Sequence, residues 1–110
     1  VDDRTADAGI AVVAYGSVYR AARAAVDIAV KDGIQAGTFR PITLWPLPGE
    51  EIAELSRRVK AILVLENNLG QMLHFIRSAA SCPVHFLEPE TLGTLHDIPR
   101  IQAALKEIAR

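Results

Sequence analysis

The sequence contains one cysteine, Cys82, among its 110 residues. A single cysteine forms no disulfide within the chain, and it cannot supply the thiolates of an iron–sulfur cluster or a structural zinc site. Cys82 precedes a proline and has no base beside it in sequence, so we predict a small buried or edge residue rather than a nucleophile. The cysteine content therefore favours a reducing compartment, the cytoplasm, and excludes cysteine-ligated metal centres held by this chain alone.

Long apolar runs and an excess of charge are also missing. Half of the residues are hydrophobic, yet charged residues such as Asp27 and Lys31 keep every run below the roughly 20 residues that cross a bilayer. The 12 basic and 13 acidic residues leave a formal net charge of -1. Such a balance gives no electrostatic reason to expect nucleic acid or an anionic membrane as a partner, and we predict neither.

Motifs that bind nucleotides or metals are absent as well. Neither G-x-G-x-x-G nor G-x-x-x-x-G-K-[ST] occurs in the sequence. The histidines, His74, His85 and His96, are far apart and lack the spacing of a metal-binding helix pair. We therefore predict no dinucleotide site and no metal site.

Short apolar runs alternate with amphipathic segments along the rest of the chain. The apolar runs are typical of strands buried on both faces of a parallel sheet, and they cover residues 9–15, 34–42, 61–66 and 83–88. Apolar residues at helical spacing predict helices at 18–32, 48–59, 70–80 and 99–109. This alternation predicts an α/β fold, a three-layer α/β/α sandwich with a mostly parallel sheet.

The first predicted helix is rich in alanine. Ser17 is placed to cap its amino end, and Gly33 is placed to end it. Its buried face is expected to comprise Val18, Ala21, Ala22, Ala25, Ile28 and Ala29.

The elements form one predicted domain over residues 9–110, since 110 residues are too few for a catalytic domain plus a cofactor domain. The polar stretch VDDRTAD precedes it, and we expect residues 1–8 to be a disordered or frayed lead-in. The chain begins with valine and lacks the basic start and apolar stretch of a signal peptide. We therefore expect it to be a piece of a longer protein.

Polar residues follow two of the predicted strands at the point where each strand ends. The turn YGS follows the first strand, and the cluster ENN follows the third. If these strands are neighbours, both turns lie at one edge of the sheet, where the winding direction reverses and where such sheets bind ligands and partners. We define as the candidate rim Tyr15, Ser17, Glu66, Asn67, Asn68 and Gln71.

The rim residues also have a purely structural interpretation. In that interpretation Ser17 only caps a helix, and Asn67 and Asn68 only satisfy backbone groups of a loop. Glu66 is the hardest to explain in this way, because a carboxylate at the end of a buried strand must find a donor or shift its pKa.

A second candidate surface is the proline-rich loop after the second strand. Trp45 and Leu47 stand among prolines in PITLWPLPGEE. Their side chains either anchor the loop in the core or form an apolar interface for a neighbouring domain, and the sequence leaves both interpretations open.

Three stretches, VVAYGS, GIQAGTFRPITLWPLP and ILVLENNLGQM, resemble a known family. They are similar to the C-terminal, transketolase-C-like domain of the alpha subunit of 2-oxoacid:ferredoxin oxidoreductases, especially the 2-oxoglutarate and branched-chain 2-oxoacid types. The resemblance covers about residues 9–108. Transketolases and the beta subunits of pyruvate-dehydrogenase-type enzymes share the first stretch, whereas FRPITLWP joined to ENNLGQM is more specific.

The resemblance implies a parallel sheet whose strands, counted along this chain, lie in the order 2-1-3-4. Members of the family carry an additional antiparallel edge strand ahead of the first parallel one. Because only VDDRTAD precedes Gly9 here, we expect that strand to be missing or frayed, which would leave an exposed sheet edge.

The resemblance also implies a function for the complete enzyme. Such an enzyme decarboxylates a 2-oxoacid on thiamine diphosphate with magnesium, passes electrons through iron–sulfur clusters to ferredoxin, and captures the acyl group as a coenzyme A thioester. It implies no catalytic, cofactor-binding or metal-binding residue in this chain, and the isolated 110 residues are expected to be inactive.

The implied role of this chain is architectural. Its partners would be the subunit's own pyrimidine-binding domain and the beta subunit of an oligomeric complex, with the candidate rim docking against one of them. Three alternatives stay open: the C-terminal domain of another thiamine enzyme, of transketolase or E1-beta type; a free-standing module that binds a small ligand; and an interaction module that forms a homodimer through the Trp45 loop.

Overall fold

The computed structural model describes residues 2–14, 18–40, 49–65, 71–87 and 97–109. Strands and helices alternate through these ranges as β1 (Asp2–Asp3), β2 (Ile10–Val13), α1 (Val18–Lys31), β3 (Ala36–Arg40), α2 (Gly49–Arg58), β4 (Ala61–Leu65), α3 (Gln71–Ala79), β5 (Val84–Leu87) and α4 (Ile98–Ala109). None of the described helices is both long enough and apolar enough to cross a membrane.

The strands form one sheet in the order β1-β3-β2-β4-β5. The four strands from β2 to β5 are parallel, with Val13 opposite Phe39 of β3 on one side and opposite Val64 of β4 on the other. Counting only the parallel strands, this is the predicted order 2-1-3-4, which is confirmed. The sheet therefore reverses its winding direction between β2 and β4.

Two apolar layers cover the two faces of the sheet. Alternate residues of β2 and β4, such as Val12 and Leu63, pack against α1 and α4 on one face, where Leu105 is fully buried. The residues between them, such as Val13 and Ile62, pack against α2 and α3 on the other. Because both faces are covered, the central strands are apolar without interruption, and the predicted three-layer arrangement is confirmed.

The lead-in of the chain is part of the sheet, which corrects the expectation of a disordered or frayed stretch over residues 1–8 and of a missing edge strand. Strand β1 pairs antiparallel with β3, with Asp3 opposite Phe39. The backbone N–H of Arg4 then donates to the carbonyl oxygen of Thr38 at 2.8 Å. This pairing satisfies backbone groups at the outer edge of β3, so a polar segment without an apolar pattern is held by its partner strand.

Side chains also fix the lead-in to helix α2. Thr5 is buried, and both its N–H and its hydroxyl donate to Oδ1 of Asp3. Arg58 of α2 donates to Oδ2 of Asp3 at 3.0 Å and to Oγ1 of Thr5 at 3.2 Å. The same guanidinium donates to Glu54 at 2.7 Å, and this hydrogen bond is the main reason that the pKa of Arg58 is raised.

Helix α1 buries a face that differs in part from the predicted one. Val26 and Tyr19 are buried, whereas Ile28, expected in the core, is 40% exposed and its neighbour Val30 is 52% exposed. The sequence does not determine the buried face of α1 well, because alanine and other apolar residues lie on several sides of this helix. Gly33 adopts a φ of 88° just after the helix, as its predicted stop position requires.

Candidate functional site at the carboxyl edge of the sheet

The predicted site residues lie almost entirely outside the described part of the chain. Outside it are Tyr15, Ser17, Trp45, Leu47, Glu66, Asn67, Asn68 and the side chain of Gln71. The structure does place the strand ends that flank the rim, because β2 and β4 are adjacent and parallel. The neighbourhood of the first and third predicted strands is thus confirmed, and the role of the rim residues stays a prediction.

One of the described residues next to the rim is Ala14, which follows β2. Its N–H donates to the carbonyl oxygen of Phe39 at 3.2 Å, so the carboxyl ends of β2 and β3 lie side by side. Helix α1 begins at Val18 on the same edge, and α3 begins at Gln71 after β4. The site can therefore be built from the side chains of β3 and α1 that are described at this edge.

Two buried hydroxyl groups join the start of α1 to the end of β3. Tyr19 is 8% exposed and Thr38 is fully buried at 0%. Oη of Tyr19 and Oγ1 of Thr38 are 3.3 Å apart, and either hydroxyl can donate. Because a buried hydroxyl without a partner is costly, this hydrogen bond fixes the position of the tyrosine ring.

Arg23 lies one helical turn after Tyr19, on the same side of α1. Its Nη1 donates to Oγ1 of Thr38 at 3.5 Å, and its Nη2 donates to Oδ1 of Asp27 at 3.0 Å. The Arg23 side chain is 29% exposed, so it is partly buried beside Thr38 and partly paired at the surface.

Arg40, the last residue of β3, lies over the ring of Tyr19. Its guanidinium carbon is 5.3 Å from the ring centroid, within the range of a cation–π interaction. Arg40 is exposed, and it forms no ion pair with a carboxylate in the described part of the chain. The fixed tyrosine ring therefore holds, at the carboxyl edge of the sheet, a guanidinium that no described carboxylate neutralises.

Helix α1 adds positive charge at the same edge. Its first turn contains no acidic residue, and it includes the exposed Arg20. The unpaired N–H groups of a helix amino end carry partial positive charge, which an arginine reinforces. Helix α2 differs, because Glu50 and Glu51 lie in its first turn.

We call the set Arg20, Arg23 and Arg40 the arginine surface, with Tyr19 and Thr38 beneath it. Arginine presents a planar set of donors that matches a carboxylate or a phosphate in two-point hydrogen bonding. The arrangement is therefore suited to bind an anionic group.

Sequence reasoning did not select the residues of the arginine surface. Arg40 and Tyr19 are far apart along the chain, and the packing of α1 against β3 brings them together. The available signal was Arg40 directly before Pro41, a residue that cannot donate to a strand ladder, together with a first helical turn that contains arginine but no acid. Both features favour a positive sheet edge, although neither identifies the contact.

A cavity of about 470 Å³ lies at the opposite edge, at the amino ends of the strands. Lys60 and His85 are the titratable residues in its wall, and the carboxyl ends of α1 and α4 flank it at Gly33 and Ile108. Helix carboxyl ends carry partial negative charge, so the cavity is less suited to an anion than the carboxyl edge is. A neighbouring cavity of about 590 Å³ includes the exposed Val30.

The described residues lack the chemistry of a metal site. Burial raises the pKa of the Cys82 thiol, which disfavours the thiolate form that ligates metals. Within the described ranges, no group of three or more His, Cys, Asp or Glu residues is placed to hold a metal ion. These residues do not fit an iron–sulfur cluster or the magnesium ion of a diphosphate cofactor.

Two solved structures share this fold. A 2-oxoglutarate:ferredoxin oxidoreductase from Magnetococcus marinus, solved with 2-oxoglutarate, coenzyme A and succinyl-CoA bound, superposes with a TM-score of 0.82 at 24% identity, over 100% of this chain and 19% of that chain. A split gene transketolase, an inactive beta4 tetramer, superposes with a TM-score of 0.77 at 18% identity, over 92% of this chain and 39% of that chain. At these identities the likeness shows the shared fold.

Relatives of known name are more similar in sequence. The chain is 41% identical over 103 residues to the ketoisovalerate oxidoreductase subunit VorB of Methanothermobacter marburgensis, covering 94% of this chain and 29% of that subunit. It is 38% identical over 93 residues to the 2-oxoglutarate synthase subunit KorA of the same organism, covering 84% of this chain and 25% of that subunit. The chain thus spans less than a third of the length of these relatives.

The family model for pyruvate:ferredoxin oxidoreductase core domain II matches residues 8–96, which include β2 through β5 and the helices between them. This match agrees with the resemblance that the three quoted stretches carry. The chain belongs to the pyruvate:ferredoxin oxidoreductase core domain II family.

Proposed function

We propose that this chain is core domain II of an alpha-type subunit in a 2-oxoacid:ferredoxin oxidoreductase. The complete enzyme converts a 2-oxoacid and coenzyme A to an acyl-coenzyme A and carbon dioxide, with reduction of ferredoxin. The observation that carries the proposal is the family match over residues 8–96, supported by 41% identity to a ketoisovalerate oxidoreductase subunit. The cytoplasm is the proposed location.

The cofactors of that reaction belong, in this proposal, to other parts of the complete enzyme. Thiamine diphosphate, magnesium and iron–sulfur clusters supply the decarboxylation and electron-transfer chemistry. This chain has one cysteine, and its described residues form no cluster that fits a metal ion. The 110 residues alone are therefore proposed to be inactive.

The proposed role of this domain is to position its neighbours. The carboxyl edge of the sheet presents the arginine surface next to the ends of β2 and β4, which the rim residues follow. We propose that this edge docks against the pyrimidine-binding domain of the same subunit and against the beta subunit, with the Trp45 and Leu47 loop as a further contact. Ferredoxin and coenzyme A are partners of the whole enzyme.

The substrate is proposed to be a 2-oxoacid selected outside this domain. Relatives of similar identity are named for two different acids, ketoisovalerate and 2-oxoglutarate. Similarity in this domain therefore follows the shared chemistry of the enzymes rather than the side chain of the acid. The transketolase likeness, at 18% identity, is one of fold.

Reconstitution tests the proposal. The full-length subunit that contains this chain is co-expressed with its beta subunit, and 2-oxoacid- and coenzyme-A-dependent reduction of ferredoxin or a viologen dye is measured. Activity is expected from the complex and none from the isolated 110 residues. A complex that forms but shows no such activity with any 2-oxoacid would contradict the proposed reaction.

A second arm tests the candidate rim. Asn67, Asn68 and Gln71 are replaced together by alanine in the full-length complex, with alanine at the exposed Arg57 and Lys106 as the matched control. The rim variant is expected to lose assembly or turnover while the control keeps both. Unchanged assembly and turnover in the rim variant would show that these residues have only a local structural role.

A further inference from the structure

We infer that the arginine surface binds an acidic surface of the partner subunit. The inference rests on the proposed function and names the chemistry of the contact. Arg40 packs over the ring of Tyr19, and no carboxylate of the described ranges pairs with it.

Arg40 is ordered in a way that leaves its hydrogen-bond donors available. The guanidinium carbon of Arg40 lies over the ring of Tyr19, 5.3 Å from the ring centroid. The ring itself is held by Thr38 through the 3.3 Å hydroxyl contact. A cation–π contact does not take up all five N–H donors of a guanidinium, so donors directed away from the ring can bind a carboxylate.

The surface carries more positive charge than the carboxylates of the described ranges neutralise. Asp27 pairs with Arg23 at 3.0 Å. Arg20 and Arg40 form no ion pair with any carboxylate in the described ranges, and the amino end of α1 adds its partial positive charge. An approaching carboxylate would therefore meet attraction from several groups at once.

The exposure of Arg20 and Arg40 favours a protein partner over a small anion. The two cavities described above lie at the amino edge of the sheet, and no member of the arginine surface lines either of them. An open surface of arginine over an aromatic ring buries little of a small molecule, whereas arginine and tyrosine are enriched at protein interfaces. The relatives are themselves named as subunits, so each assembles with other chains.

Charge reversal tests the contact in the full-length subunit. Arg40→Glu is compared with Arg57→Glu, a matched change at an exposed arginine of α2 that has no ion pair within the described ranges. The dissociation constant of the subunit pair is measured between about 50 and 500 mM salt, over which the Debye length falls from about 14 Å to about 4 Å. Arg40→Glu is expected to raise the dissociation constant by about tenfold or more at low salt and to reduce its dependence on salt. Arg57→Glu is expected to raise the dissociation constant by less than about twofold.

A second variant, Arg40→Lys, controls for loss of folding at position 40. Arg40→Lys keeps the charge, and we expect its pairing to stay within about threefold of wild type, since lysine lacks two-point geometry but retains attraction. Carbodiimide then joins an amine to a nearby carboxylate, so the Arg40→Lys subunit should give a zero-length crosslink between position 40 and an Asp or Glu of the partner subunit. A crosslink from position 40 only to residues of the same subunit would overturn the inference. So would the absence of any crosslink from position 40 when the exposed Lys60 does react.

The remaining outcomes separate this inference from the proposed function. A wild-type subunit that neither pairs nor supports 2-oxoacid-dependent activity overturns both. If the wild type pairs and Arg40→Glu pairs equally well, only this inference is overturned. If inorganic phosphate raises the melting temperature of the wild type but not of Arg40→Glu, while pairing is unchanged, the surface is a small-anion site instead.

Discussion

The lead-in crosses β3 so closely that Gly37 has no room for a side chain. A Cβ atom at Gly37 would lie 3.0 Å from Cα of Thr5 and closer still to the carbonyl oxygen of Arg4. The crowding atoms are backbone atoms, so no side-chain rotation relieves the contact. We predict that Gly37→Ala displaces the lead-in from the sheet and destabilises the domain.

The magnitude follows from the contacts that must move. Non-bonded carbons pack about 3.5–4.0 Å apart, so the backbone at Thr5 must retreat by at least about 0.5 Å. Overpacking of this kind costs about 1–3 kcal/mol, and loss of the 2.8 Å hydrogen bond from Arg4 to Thr38 costs about 1 more. The lower chain entropy of alanine offsets about 0.5–1 kcal/mol. The net loss is about 2 kcal/mol, or about 8 °C in melting temperature.

Gly9→Ala is the matched control, because the same chemical change there places Cβ at an ordinary 3.5 Å from the carbonyl oxygen of Gln35. Melting is followed by circular dichroism, and hydrogen exchange is measured at the Arg4 amide. Gly9→Ala is expected to melt within about 2 °C of wild type, as substitutions without a clash do. If Gly37→Ala also melts within that margin and keeps the protection of the Arg4 amide, the close crossing of the lead-in is refuted.

The remaining predictions concern the core, the helix end and the thiol. Leu105→Ala, at a fully buried position, should lower the free energy of unfolding by about 2–5 kcal/mol. Ile28→Ala, at a position 40% exposed, should lower it much less. Equal losses of the two variants in urea denaturation would contradict the assigned buried face of α1. Arg20→Glu should raise the free energy of unfolding by about 0.5–1 kcal/mol in low salt, because a negative charge favours the amino end of α1. No gain in urea denaturation would show that this helix end is already neutralised. Because burial raises the pKa of Cys82, alkylation by iodoacetamide should rise with pH at a midpoint above that of free cysteine, and a midpoint at or below it would refute the burial.

The central sheet was predictable because both of its faces are covered. Burial of every residue from Ala61 to Leu65 leaves no polar position in the strand, so the run is recognisable in the sequence. Gly33 was predictable as a helix stop for a local reason too, since its φ of 88° is a conformation that glycine adopts without strain. Features that depend on one segment alone were therefore readable.

The lead-in and the face of α1 depend on other segments, and the sequence did not determine them. Asp2–Asp3 has poor strand propensity, and it forms a strand because the edge of β3 and the guanidinium of Arg58 stabilise it there. Ile28 looks like a core residue in a helix with apolar residues on several sides. Its exposure follows from where α4 and β3 happen to pack, which helical spacing does not encode.

In a parallel α/β domain each helix follows a strand, so the amino ends of the helices lie at the carboxyl edge of the sheet and their partial positive charges add there. Helix α2 offsets its own amino end with Glu50 and Glu51. Helix α1 instead carries Arg20 in its first turn and lies beside Arg40, an arrangement that costs an isolated domain about 0.3–1 kcal/mol for each charge so placed. No carboxylate in the described ranges removes this cost, so a group on a neighbouring chain can do so at assembly. The arginines that lower the stability of the free domain would then stabilise the complex, and both effects would weaken together as salt screens the charges.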